Sequence, residues 1–222
     1  MRKMLKYVVA RTYKPLLVRY LSGTRNYTYK NIHLEIPPEV FHPGFFFSTK
    51  LLLRYIKQFP LAQKSFLELG AGSGLISIYA AQKGAAVTAT DINPIAIKAL
   101  KKNLYLNEVD FSIIESDLFT DIPEQAFDII AINPPYYKKN PASVKDYAWY
   151  CGAQGEFFAK LFKKLNNYMH NGSEVLMILC DGCDIEMIKA VAKENTFVLN
   201  CIFSRKNMLE ENFVYKIERV HE

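Results

Sequence analysis

Between residues 65 and 193, short apolar runs alternate with longer stretches in which apolar side chains recur every three or four positions. The runs at 65–69, 86–90, 111–115, 127–132 and 174–179 predict strands, and the stretches at 74–83, 94–105, 156–170 and 184–193 predict helices. Punctuation agrees with this division. Asn93-Pro94 offers a capping side chain followed by a proline at the first helical position, and Asn171-Gly172 offers a stop after the third helix. Ahead of the series, Leu51, Leu52, Tyr55, Ile56 and Phe59 share one face of a helix over 48–59 that Pro60 ends. Residues 27–36 alternate as a single strand stopped by Pro37-Pro38, and residues 4–21 predict one or two short basic helices broken near Pro15. No helix separates 197–203 from 213–218, so these strands pair as an antiparallel hairpin. Strand and helix by turns, joined by short loops, give an α/β fold with a mainly parallel sheet covered on both faces.

The chain of 222 residues has room for one such domain, over 45–222, and a basic N-terminal extension over 1–44. Hydrophobic residues make up 50% of it and charged ones 23%, which excludes a disordered chain. The formal net charge of +6 is unevenly placed. Arg2, Lys3, Lys6, Arg11, Lys14, Arg19, Arg25 and Lys30 precede the first acidic residue, so the remainder is mildly acidic. Such a segment either draws in a polyanion or lies as a solvated face on the domain edge. An organelle transit segment is disfavoured because Ser and Thr are sparse before Ser22, and no apolar run is long enough for a membrane span. Cys180-Asp181-Gly182-Cys183 has the spacing of half a zinc site, yet no second pair follows, so a metal is not expected. The four cysteines are expected as reduced thiols in a cytoplasmic protein.

Candidate chemistry collects at the strand ends. Gly70, Gly72 and Gly74 follow the strand at 65–69, where glycines let a backbone approach a ligand closely. Their G-x-G-x-G spacing disfavours a nicotinamide dehydrogenase, whose fingerprint is G-x-G-x-x-G. Asp91 ends the next strand, placed to accept from ribose hydroxyls. Asp117 follows the third beside Leu118 and Phe119, where a carboxylate can take an adenine amino group between apolar neighbours. The fourth strand runs into Asn133-Pro134-Pro135-Tyr136. That tip presents a side-chain amide, a bare carbonyl and an aromatic face, and two prolines stiffen it. A planar NH2 group suits it.

Taken together, these segments resemble the class I AdoMet-dependent methyltransferases of the small-domain, Asn-Pro-Pro-Tyr kind, over roughly residues 45–220. The resemblance implies a Rossmann-like seven-stranded sheet of order 3-2-1-4-5-7-6. It also implies S-adenosyl-L-methionine held by Glu68, Gly70, Gly72, Gly74, Asp91, Asp117, Leu118 and Asn133. Glu68 would meet the methionine ammonium, directly or through water. Asn133, Pro134 and Tyr136 would carry the chemistry, and Pro135, Tyr137 and Thr49 would meet the acceptor. No catalytic histidine or metal is implied, and His42 is the histidine expected nearest the pocket. Acceptors in such families are exocyclic base amines or glutamine amides. Ribosomal or transfer RNA, at adenine N6 or guanine N2, is placed ahead of a protein glutamine, because residues 1–34 suit a basic RNA-facing extension. The arginine and glutamate usual near the threonine of release-factor glutamine methyltransferases are also missing around Thr49. Tyr136, Tyr137, Tyr147, Trp149 and Tyr150, with Lys138, Lys139 and Lys145, form a loop that either stacks bases or closes as a lid. A non-catalytic RNA-binding module of the same fold is disfavoured, since it has no need of Asn133.

Overall fold

The computed structural model describes residues 17–208 and 210–220. Residues 17–21 are helical, and the rest of the helices expected over 4–21 lies outside the described residues. The stretch at 27–36 is not one strand. It folds back as β1 (Arg25–Tyr29) and β2 (Ile32–Ile36), with Tyr29 opposite Ile32. Lys30 adopts a φ of +54°, so Lys30-Asn31 makes the tight turn that Asn-Gly more often provides. The alternation survives inside β2, where Ile32, Leu34 and Ile36 are buried.

After the hairpin come α1 (Phe47–Ile56), β3 (Ser65–Leu69), α2 (Leu75–Gln82), β4 (Ala86–Asp91), α3 (Pro94–Leu106), β5 (Ser112–Glu115) and β6 (Phe127–Ile132). Then follow α4 (Glu156–Leu165), β7 (Met169–Cys180), α5 (Ile185–Glu194), β8 (Phe197–Lys206) and β9 (Glu211–Arg219). The sheet order is β5-β4-β3-β6-β7-β9-β8, which is the expected order. The first five strands are parallel and β9 is antiparallel to both β7 and β8. Successive residues point to opposite faces. Leu67, Ile130 and Met177 meet α4 and α5, whereas Phe66, Ile129 and Leu176 meet α1, α2, α3 and the hairpin. Asn93 caps α3 as expected, its Oδ1 accepting from the Ile95 N–H at 2.9 Å.

One helix is shorter than its sequence suggests. The stretch at 156–170 leaves the α-helix at Leu165, makes a 3-10 turn over Asn166–Tyr168, and enters β7 at Met169. Tyr168 fixes the exit. Its ring stacks on Phe119 at 4.3 Å and its hydroxyl donates to the carbonyls of Phe119 and Ile122. A buried tyrosine must find a partner for its O–H, and these carbonyls lie beside the sheet.

The open edge of β2 is closed by side chains. Asn103 on α3 and Asn107, the residue that caps its C-terminal end, lie one turn apart, and each clamps one residue of β2 through both amide atoms. Asn103 accepts from the Glu35 N–H at 2.8 Å and donates to its carbonyl at 3.1 Å; Asn107 treats His33 alike, at 2.8 and 2.7 Å. The hairpin is thereby fixed to the helix that follows Asp91. The strand order reverses between β3 and β6, and there the carboxyl ends of neighbouring parallel strands diverge into a crevice.

Candidate active site

The glycine turn after β3 forms one wall of the crevice. Gly70, Gly72 and Gly74 have φ of +73°, +54° and +84°, a region that favours glycine. A Cβ on Gly70 would find no atom within 4 Å, so the space above that residue is open for a ligand. A Cβ on Gly74 would overlap Leu100 Cδ1, so that glycine serves the close packing of α2 on α3. The Asp91 carboxylate braces the turn, its Oδ2 accepting from the Gly72 N–H and its Oδ1 from the Asn93 N–H. Burial raises its pKa despite those bonds.

Glu68 lines the same crevice and also caps a helix. Its Oε2 accepts from the backbone N–H and the hydroxyl of Ser77, whose N–H is one of the orphan donors in the first turn of α2. Burial pushes the Glu68 pKa up to about 8, against the lowering from both Ser77 bonds. Asp117 stands at the rim with its Oδ2 2.5 Å from Lys160 Nζ, and Leu118, at a φ of +54°, turns into the lining beside it.

At the tip of β6, Asn133 lies among three hydroxyls. Its Nδ2 donates to Thr49 Oγ1 at 3.2 Å and to Ser48 Oγ at 3.4 Å, and its Oδ1 accepts from the Tyr136 O–H at 2.8 Å. These bonds fix which way the amide faces. Pro134 and Pro135 are buried behind it. Desolvation holds the Tyr136 phenol well above its ordinary pKa, so it is a donor at neutral pH. Tyr137 is half exposed, outside the crevice lining.

The loop beyond the tip leaves and returns through a hydrogen-bonded neck. The N–H groups of Tyr136 and Tyr137 donate to the Trp149 carbonyl, and the Cys151 N–H donates to the Tyr137 carbonyl. Trp149 packs on Phe41 and Phe46, at ring distances of 5.4 and 5.0 Å. Lys138 pairs with Asp184 at 3.1 Å, and Lys139 lies over the Tyr150 ring. The loop is therefore anchored beside the crevice, to whose lining it contributes Val144, Tyr147, Ala148 and Trp149. His42 flanks the crevice, but its ring packs against Tyr27 and Phe45 and accepts from the Gly44 N–H, and it is absent from the lining. Sequence reasoning missed Phe41, Pro43 and Ser48. The available signal was Phe41-His42-Pro43-Gly44-Phe45-Phe46-Phe47, a loop too rich in phenylalanine to lie uncovered in water.

Residues 37–217 match the family model of the methyltransferase small domain. The chain belongs to that family. A relative provisionally named as a protein N5-glutamine methyltransferase, from Methanocaldococcus jannaschii, is 37% identical over 155 residues, or 67% of this chain and 76% of the relative. The release factor glutamine methyltransferase of Flavobacterium psychrophilum is 28% identical over 170 residues, covering 69% of this chain and 60% of that protein. Among solved structures, the T. thermophilus 16S rRNA N2 G1207 methyltransferase in complex with AdoMet and guanosine superimposes with a TM-score of 0.60 at 18% identity. That match covers 87% of this chain and 50% of that one, and it speaks for the fold. This small-domain methyltransferase is thus an AdoMet-dependent enzyme. S-adenosylmethionine fits the crevice, which offers an open floor at Gly70 and separate carboxylates at Glu68, Asp91 and Asp117.

Proposed function

We propose that this small-domain methyltransferase transfers a methyl group to the planar NH2 of a protein glutamine side chain. The lining of the crevice carries that choice of acceptor. Its outer part is walled by Phe41, Pro43, Tyr147 and Trp149, and among the described residues no lysine, arginine or histidine lines it, the Lys160 ammonium beside it being paired with Asp117 at the rim. A nucleotide brings phosphates that need cations near its path. A neutral amide on a methylene stem needs only apolar walls and acceptors at its end. The similarity to glutamine methyltransferases over two thirds of the chain supports the same reading.

The chain's own residues divide the task. Glu68 is assigned to the methionine ammonium, Asp91 to the ribose and Asp117 to the adenine amino group, with Leu118 against the ring and the glycines allowing close approach. Bound AdoMet supplies an electrophilic methyl group on its sulfonium. Asn133 Oδ1 keeps one lone pair for Tyr136 and has a second for one N–H of the acceptor, and the Pro134 carbonyl takes the other N–H. Gripping both hydrogens withdraws the nitrogen lone pair from conjugation and raises its nucleophilicity. Thr49 and Ser48 orient the Asn133 amide, and Pro135 stiffens the grip.

An exocyclic amine of an RNA base is the second reading, favoured by the run of basic residues before Glu35. Labelled AdoMet with a cell lysate, followed by separate protease and nuclease digestion, tests both. Label recovered as N5-methylglutamine is the expected result, and label released only as a methylated nucleoside would replace the first reading by the second.

A further inference from the structure

Behind the acceptor tip lies a pair of sulfurs that methyl transfer does not use. Cys180 ends β7 and Cys183 precedes Asp184, the N-cap of α5. The Cys183 N–H donates to the Cys180 carbonyl at 3.0 Å, so the four residues form a β-turn. The turn brings Sγ to within 3.9 Å of Sγ, in a contact where either atom can be the donor. A disulfide needs its Cα atoms about 4.4–6.8 Å apart, and the ends of a β-turn lie within about 7 Å, so closure needs side-chain rotation and little movement of the backbone.

The surroundings favour a reactive pair over two inert thiols. The Gly182 N–H donates to Cys180 Sγ and the Cys180 N–H to Cys183 Sγ, both at 3.4 Å. The Cys183 thiol lowers the Cys180 pKa by hydrogen bonding, whereas the same bond and burial raise that of Cys183. The pair thus gives up one proton more readily than a lone thiol and keeps the second. Cys180 is buried, but Cys183 is partly exposed, which gives an oxidant a point of entry. The turn also touches the root of the acceptor loop. A Cβ on Gly182 would stand 3.7 Å from the Tyr137 ring, and Asp184 holds Lys138.

We propose that Cys180 and Cys183 form a reversible dithiol–disulfide site that exchanges with small diffusible disulfides. Either sulfur can hold the proton between them; with it on Cys180, the Cys183 thiolate at the exposed end attacks one sulfur of the small disulfide, whose S–S bond breaks and whose other half leaves as a thiolate that takes up a proton from solvent. The Cys180 sulfur then attacks Cys183, releasing the second half as a thiol and closing the bridge. Two protons and two electrons pass from the protein to the small disulfide, so the exchange balances.

The test is incubation of the full chain with oxidised glutathione, followed by intact-mass measurement and a peptide map. The expected result is a loss of two hydrogens per chain, a linked peptide joining 180 to 183, and full reversal by dithiothreitol. Cys201→Ser should leave the bridge intact, and Cys180→Ser should turn it into a glutathione adduct on Cys183. Should the serine variant fold poorly, phenylarsine oxide on the reduced wild-type chain gives a second reading, by protecting two thiols from alkylation in one complex. Glutathione adducts without ring closure in the wild type, a bridge from Cys151 instead, or arsenical protection of no thiol pair would each overturn the proposal.

Discussion

Asn133 shows how much of the proposed chemistry rests on the orientation of one amide. Hydroxyls of Thr49 and Ser48 hold its nitrogen and that of Tyr136 holds its oxygen. Asn133→Ala removes the acceptor at the grip while leaving the glycine turn and Asp91 in place. The AdoMet dissociation constant measured by calorimetry should stay within a few-fold, while kcat for methyl transfer falls on the order of a hundredfold or more. Loss of cofactor binding would contradict the assigned role. Glu68 gives a prediction in pH. Its folded pKa of about 8 lies above the ordinary value of 4.5, so the folded chain holds a proton that the unfolded chain has lost. Its contribution to stability is full below the lower value and disappears as pH rises through the upper one. Burial of Asp91 acts with the same sign. The ligand-free protein should therefore melt at progressively lower temperature between those two values, and Glu68→Gln should flatten the decline. A cationic ammonium favours the carboxylate, so AdoMet should bind more tightly near about pH 8 than near about pH 6 in the wild type only.

Whole elements hang on single side chains as well. Asn103 is fully buried, and besides clamping Glu35 it donates to the Ser73 carbonyl at 3.0 Å. Asn103→Ala would strand backbone groups of β2 and of the glycine turn without partners. A loss of about 3 kcal/mol in urea unfolding is expected, with weaker AdoMet binding alongside. An unchanged midpoint would show that water replaces the amide. The central strands and the acceptor tip were legible in the sequence because buried runs such as Phe127-Asp128-Ile129-Ile130-Ala131-Ile132 have few other uses, and proline after them marks a tip. Two features were not. The turn at Lys30-Asn31 lacks a glycine, so nothing local signalled that one strand would become two. The early start of β7 at Met169 has no apolar run, because His170 and Asn171 are exposed and pairing with Phe127 places them.

At the scale of the molecule, charge and chemistry are separated. The uncompensated positive charge of the sequence lies before Glu35, whereas the crevice lining holds carboxylates and no cation among the described residues. Neutralising Arg2, Lys3, Lys6 and Arg11 should weaken RNA retention in a filter assay. It should also flatten the salt dependence, by about 0.9 log unit per log unit of salt for each phosphate that is no longer neutralised. Methyl transfer to a short glutamine peptide should be unaffected. Identical salt slopes before and after would detach this segment from RNA altogether. The excursion between Tyr137 and Trp149 has a different bearing. Since both of its ends are knotted to each other and to the tip, its middle can lengthen, shorten or change composition without loosening Asn133. A lineage can in this way retune which molecule it greets while inheriting its reactive centre untouched.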